Sequence, residues 1–400
     1  MKQTLYFRLC LLVVFFSCNS LFAQPPFKLN AGGTTQKGYL TTIPYVDVNS
    51  KVIISAEVNG KQCRFIVDTG ACTTISKELF DVLHPDVVTT MPVRDAGNSL
   101  DSLKLVSLKA IKLGDITFND IPAFVGKADN AIFNCLKVDG LIGSNLLRST
   151  TIQFGSGTRT VVLTDDSSRL KTDKKNGAKM DLDAVQSNPY IWVTFKSKRA
   201  KGRDNVLFDS GLGGFYQLSQ KSYIQTFSTV RLFDILAQAS GSFSFGFHGA
   251  IKSEEHYRLF APKLEINNAS FKNSTIDTGE GHSYLGADLF KYGIVTLDYI
   301  NKMFYFAPFS KEEIELAEKQ WPYTSTYNDG KLVVGIVWDK KWEGKINVGD
   351  QIISLDGISY ENAQLCELLV KKPVLPGEKG ILVLKDSKTA AIKTFEICKE

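Results

Sequence analysis

Phe65-Ile66-Val67-Asp68-Thr69-Gly70-Ala71 decides the reading of this chain: three apolar residues run into an acid, a hydroxyl and a glycine. A strand ending this way sets a carboxylate in a tight turn, where neighbouring backbone N–H groups can hold it ionised. The same string returns 141 residues later as Val206-Leu207-Phe208-Asp209-Ser210-Gly211. A single acid before Thr-Gly is more often a turn or cap residue. Two matched copies reverse that expectation and make Asp68 and Asp209 a pair of candidate catalytic acids.

The surroundings of the two copies also match. Val52 to Val58, the strong turn Asn59-Gly60 and Cys63 to Val67 read as a hairpin that delivers Asp68 at the end of its second arm. Ile191 to Phe195 and Val206 to Phe208 do the same for Asp209 around the loop from Lys196 to Asn205. Ser76 is placed to cap a short helix over Lys77 to Leu83. A Gly-containing hairpin near Gly97 has its counterpart at Ser240-Gly241-Ser242, and the turn region Lys112 to Phe118 has its counterpart at Leu264 to Phe271. Leu141-Ile142-Gly143 is echoed by Tyr284-Leu285-Gly286, 75 residues after Asp68 and 77 after Asp209 respectively. An internal duplication explains these near-equal separations. A third Asp-Thr-Gly, Asp277-Thr278-Gly279, follows Asn273-Ser274-Thr275 and lies where the repeat calls for a surface loop, so it is set aside.

The pattern is strand after strand, and the chain is expected to be mainly β. The expected division is a leader over 1–23, a first repeat over 40–165, a charged linker over 166–184, a second repeat over 185–310, a connector over 311–325 containing a helix from Lys311 to Gln320, and a small β-rich unit over 326–400 with a helix from Glu361 to Val370.

Composition fits this. The chain has 400 residues, 44% of them apolar and 22% charged, as an ordinary multi-domain globular protein does. The formal charge of +5 includes Lys2 and Arg8 of the leader. The basic clusters Lys171 to Lys179 and Lys198 to Arg203 lack interleaved aromatics and read as solvated loops, not a nucleic-acid track. The basic start, the apolar run Leu9 to Phe16 and the polar stretch down to Ala23 have the order of a secretory signal peptide. Cleavage is expected after Ala23, with lipidation at Cys18 as the alternative, and export to the periplasm or medium follows. No later segment reaches membrane-spanning length.

Five cysteines remain after Ala23: Cys63, Cys72, Cys135, Cys366 and Cys398. Cys366 and Cys398 share the last segment and can pair, but the better expectation is that most of the five are buried free thiols. His84, His248, His256 and His282 show no metal spacing and read as surface or loop residues, so neither metal nor cofactor is expected. Cys72 has no local histidine base to make it a nucleophile.

Both repeats resemble the aspartic peptidases of the pepsin and retropepsin superfamily, on Asp68-Thr69-Gly70-Ala71 and Asp209-Ser210-Gly211 with their distal Leu141-Ile142-Gly143 and Tyr284-Leu285-Gly286. The segment from about 327 resembles a PDZ domain of exported proteases, on Val348-Gly349-Asp350-Gln351-Ile352-Ile353-Ser354-Leu355-Asp356-Gly357. The resemblance implies a two-lobed pepsin/retropepsin-like fold of duplicated β-barrel lobes followed by a PDZ-like domain, in a monomer whose lobes pair within one chain. It implies that Thr69 and Ser210 bond across the lobe interface, that Gly70 and Gly211 allow close backbone approach, and that the Gly97 and Gly241 hairpins act as flaps over a peptide or protein substrate. The PDZ peptide-binding loop has no Gly-Leu-Gly-Phe; Gly330 and Leu332 stand in for it. The family's usual hydroxyl two residues after the motif glycine is replaced by Cys72 and Gly213.

Two close carboxylates share one proton. The ionised member can take a proton from a water between them while the protonated member donates to a scissile carbonyl. The sequence therefore points to an aspartic endopeptidase. Its competitor is an inactive peptide-binding envelope protein on the same scaffold, favoured by Cys72 and Gly213 and opposed by the intact pair of acids.

Overall fold

The computed structural model describes residues 28–94, 100–242, 245, 246, 249, 250, 253–371, 373 and 377–400. The expected leader 1–23, Cys18, Gly97 and His248 lie outside them.

The chain is mainly β. Its first half runs β1 (Leu40–Val48), β2 (Lys51–Val58), β3 (Lys61–Asp68), β4 (Thr74–Ile75), α1 (Lys77–Leu83), β5 (Val87–Arg94), β6 (Leu100–Leu113), β7 (Ile116–Val125), α2 (Ala131–Leu136), β8 (Gly140–Gly143), α3 (Ser144–Leu147), β9 (Thr151–Gly155) and β10 (Thr160–Thr164). The second half runs β11 (Gly177–Leu182), β12 (Pro189–Lys196), β13 (Lys201–Asp209), β14 (Tyr216–Ser219), α4 (Gln220–Ser222), β15 (Asp234–Gly241), the two-residue pair β16 (Phe245–Gly246) and β17 (Gly249–Ala250), β18 (Glu254–Ile266), β19 (Ala269–Gly279), β20 (Tyr284–Gly286), β21 (Gly293–Asp298), β22 (Met303–Pro308) and β23 (Ile314–Glu315).

The strand pairings of the two halves repeat. β3 lies parallel to β8 with Asp68 opposite Gly143, and β13 lies parallel to β20 with Asp209 opposite Gly286. β4 and β14 each pair antiparallel with that distal strand, and the hairpins β6–β7 and β18–β19 correspond. β3 and β13 each lie between an antiparallel neighbour, β2 or β12, and the parallel one, β8 or β20, and their last apolar residues are covered on both faces, so the sequence runs apolar without alternation. That is why Phe65-Ile66-Val67 and Val206-Leu207-Phe208 are continuous apolar triplets; Phe65 and Phe208 are both 0% exposed. Burying each phenylalanine is worth about 2–3 kcal/mol.

The halves meet in a six-stranded sheet ordered β1–β10–β9–β21–β22–β11, with β9 pairing antiparallel to β21 across the centre. This corrects the expected linker over 166–184: its last part is β11, which pairs with β22 and then with β12, as β1 pairs with β10 and then with β2. α1 starts where its cap dictates, the Ser76 hydroxyl accepting from the Leu79 N–H at 3.1 Å.

The third unit runs β24 (Tyr323–Asn328), β25 (Lys331–Val337), β26 (Gln351–Leu355), β27 (Ile358–Ser359), α5 (Leu365–Val370), β28 (Lys379–Lys385) and β29 (Ile392–Cys398). It has a core of its own around Leu332, Val334, Ile352, Leu382 and Leu384. The helix expected from Glu361 begins only at Leu365, where Gln364 and Glu367 form a capping box. The helix expected over Lys311 to Gln320 is absent; Ile314 and Glu315 extend instead alongside Phe271 and Lys272 of β19.

The third unit is tied to both halves. Cys135 in α2 and Cys366 in α5 form a disulfide, which corrects the Cys366–Cys398 pairing: α5 faces α2, and Cys398 stays free in β29. The Asn49 amide donates to Leu369 O in α5 at 3.0 Å. On the other side the Ser242 N–H donates to Gly335 O in β25 at 3.0 Å, and the Arg258 guanidinium sits 4.1 Å from the Trp338 ring centroid. A cross-link closing a loop this long, 231 residues, is worth about 3–5 kcal/mol by its constraint on the unfolded chain. Cys366→Ser is therefore expected to loosen the docked unit and to open the 311–325 connector to limited proteolysis. Recovery of unlinked Cys135 and Cys366 peptides from unreduced wild-type protein would overturn the tie.

Candidate active site

Asp68 and Asp209 end β3 and β13, and the two halves bring them together, each carboxyl lying against the motif glycine of the other half. The Gly70 N–H donates to Asp68 Oδ1 at 3.0 Å. Asp209 Oδ1 takes two such bonds, from the Gly211 N–H at 2.8 Å and the Leu212 N–H at 3.1 Å. Each motif glycine lies against the opposite acid: a Cβ on Gly70 would collide with the Asp209 carboxylate, and one on Gly211 with that of Asp68. No residue larger than glycine fits at either place without moving an acid.

Thr69 and Ser210 clasp the two turns from below. The Thr69 hydroxyl donates to Phe208 O at 2.7 Å and accepts from the Ser210 N–H at 3.0 Å. The Ser210 hydroxyl donates to Val67 O at 2.8 Å and accepts from the Thr69 N–H at 3.1 Å. Both residues are 0% exposed, so the four bonds close a fully buried polar set. A second layer supports them: the Ser144 hydroxyl donates to Thr69 O at 2.6 Å and meets the Tyr299 hydroxyl at 2.9 Å.

Electrostatics follow from this packing. Burial, then the charge of Asp209, pushes the Asp68 carboxyl well above the ordinary carboxylate range, and Lys51 and the Gly70 N–H pull partly against it. Burial raises Asp209 as well, against Lys51, the two backbone N–H groups and Asp68. Two carboxyls so placed favour holding one proton between them, and the second backbone donor favours Asp209 as the charged member. Burial also pushes the Tyr299 phenol up.

The other expected site residues lie elsewhere. Gly241 lies opposite Glu254 of β18. It ends β15, and its backbone presses on Gly335 of the third unit so closely that a Cβ would overlap Gly335 O. Gly330 sits in the β24–β25 turn, after Asp329 at φ 47°, and Leu332 points into the core of its unit at 3% exposure. Asp277-Thr278-Gly279 is strand and not the expected loop: Asp277 takes both Arg258 nitrogens at 2.8 and 2.9 Å, and Thr278 is buried. His256, expected at the surface, is buried in β18 between Thr278 O and Gly241 O. Cys72 is buried and burial drives its thiol up, away from reactivity. Among the described residues no three His, Cys, Asp or Glu side chains converge as a metal site, and no helix is long and apolar enough to cross a membrane.

Four residues at the site were not singled out in the sequence: Lys51, Ser144, Asn188 and Tyr299. The sequence does carry a signal for Lys51. A two-residue turn at Asn59-Gly60 fixes the β2–β3 register, and continuing that register past Ile53 opposite Ile66 sets Lys51 opposite Asp68.

None of the curated proteins matches the chain. Among solved structures it is similar to a retropepsin-like aspartic protease from Rickettsia conorii, at 23% identity over 31% of this chain and 90% of that one, with a TM-score of 0.24. The aspartyl protease family model matches residues 54–146, the segment that holds both Asp68-Thr69-Gly70 and Leu141-Ile142-Gly143. That match makes this segment similar to the aspartyl proteases.

Proposed function

We propose that the protein is an exported aspartic endopeptidase. One observation carries the reading: two acids from equivalent strand ends are brought together above a fully buried clasp of Thr69 and Ser210. A water held between the carboxyls gives a proton to the charged member, Asp209, as it attacks the scissile carbonyl carbon. The protonated member, Asp68, donates to the carbonyl oxygen, and the gem-diol so formed collapses with proton transfer to the leaving amine. The substrate is an extended peptide, one chain supplies both acids, and the PDZ-like unit over 326–400 recruits or regulates substrate.

The reading is tested by incubating wild-type protein with a mixed peptide pool between about pH 4 and 7, with and without a statine-type transition-state mimic. Cleavage blocked by the mimic is the expected result. Folded protein that neither cleaves nor binds the mimic would sink the proposal and leave the peptide-binding scaffold, which the missing hydroxyls at Cys72 and Gly213 favour.

A further inference from the structure

A lysine beside two carboxylates that must share a proton calls for an explanation. Lys51 opens β2, and its ammonium donates across the junction of the halves to Gly211 O. The second half has a counterpart. Continuing the β12–β13 register past Tyr190 opposite Leu207 sets Asn188 opposite Asp209, as Lys51 is opposite Asp68. The Asn188 amide donates to Gly70 O at 3.0 Å. Each residue thus faces the acid of its own half and holds the glycine carbonyl of the other half. The bonds are equivalent and the chemistries are not: Asn188 is neutral, and Lys51 brings a positive charge next to both acids.

We propose that Lys51 is a positioning residue of the Asp68/Asp209 pair, pinning the Gly211 turn and setting by its charge the pH range in which the pair carries a single proton. Asn188 does the pinning alone for the Gly70 turn. The division of labour fits the motif, because neither Cys72 nor Gly213 supplies a hydroxyl to the carboxyls. The inference rests on the peptidase reading.

Few other charges compete at this point. From β13 comes Asp209 and from β3 Asp68, both of which feel Lys51. Tyr299, behind Ser144, feels both acids and stays a neutral phenol. Next to Lys51, Ser50 bonds Asp288, which is already paired with Lys291 at 2.9 Å, and the Ser50 N–H bonds Asp47. Below Asn188 lies Asp183, which accepts the Asn188 N–H at 2.5 Å. The third unit offers a carbonyl, Leu369 O, to neighbouring Asn49. Among the described residues Lys51 is the cation that acts on both acids.

Removing the charge disfavours the ionised form of each acid, so both apparent titrations of the pair rise. In Lys51→Met both limbs of the pH profile of kcat/KM are expected to move up by about one unit or more, the usual effect of an adjacent opposite charge. Lys51→Arg should return them toward wild type. Asn188→Leu, which removes a donor and no charge, should lower kcat/KM and leave both limbs in place. Limbs in Lys51→Met that coincide with wild type would overturn the inference while wild-type cleavage and its loss in Asp68→Asn keep the peptidase reading. If wild-type protein cleaves nothing, carboxyl carbon NMR titration of the two acids decides: higher midpoints in Lys51→Met support the role, and unchanged midpoints end it.

Discussion

Asp68→Asn is expected to lower kcat/KM for peptide cleavage by about 10⁴-fold, and Asp209→Asn by a similar factor. A positioned acid or base contributes about 10² to 10⁴ in rate, and here each carboxyl serves in both capacities over one turnover. The loss corresponds to about 5.5 kcal/mol in the barrier. The double variant should be little worse than either single one, because groups that work as a unit are not additive. The same substitution is expected to make the protein more stable at pH 7. Asp68 titrates well above the ordinary carboxylate range when folded because burial and Asp209 disfavour its charge. A raised carboxyl binds more protons folded than unfolded, so wild-type stability falls as pH rises from the ordinary carboxylate range through the folded value. Asparagine removes that penalty. The gain in Tm should be present at pH 7 and vanish near pH 3, where both states of the wild type are protonated. Cleavage within tenfold of wild type in either single variant would remove the dyad from the mechanism.

What could be read in the sequence and what could not have separable physical causes. The matching strand pairings of the two halves were legible because β3 and β13 are each held between an antiparallel neighbour, β2 or β12, and a parallel one, β8 or β20, and such covered strands carry continuous apolar runs that end here in the same turn chemistry. β11 was not, because in Gly177-Ala178-Lys179-Met180-Asp181-Leu182 only Met180 is buried and the neighbouring lysines look like linker. Lys311 to Gln320 is rich in helix-forming residues, yet tertiary contacts override propensity there. Glu313 holds Lys263 at 2.7 Å and Lys272 at 3.0 Å on the sheet, and Leu316 packs on the core. The Cys135–Cys366 pair joins units far apart in sequence, so spacing carried no trace of it. Asn188 escaped because the β12–β13 connection lacks an Asn-Gly turn to set its register. Gly241 escaped because equivalence of position in a duplicated fold does not make equivalence of surroundings: here the third unit covers it.

The clasp beneath the acids sets the second large effect. Thr69→Val keeps the side-chain shape and removes the hydroxyl, leaving Phe208 O without its donor and the Ser210 N–H without its acceptor. Each buried group left unpaired costs about 1–3 kcal/mol, so a loss of about 2–5 kcal/mol in unfolding free energy is expected. Ser210→Ala should cost about as much through Val67 O and the Thr69 N–H. Thr69→Ser, which keeps the hydroxyl and drops one methyl, should cost about 1 kcal/mol. Activity should fall further than stability suggests. Thr69 and Ser210 adjoin the two acids in sequence, and a misplacement of about 1 Å between reacting groups costs about 10²-fold in rate. Urea unfolding of the three variants, followed by cleavage assays well below their transition midpoints, separates the two effects. A midpoint for Thr69→Val equal to that of Thr69→Ser would mean that the hydroxyl bonds do not hold the halves together. The acids would then have to be aligned by the six-stranded sheet, the Ser144–Tyr299 contact and the bonds of Lys51 and Asn188 across the halves.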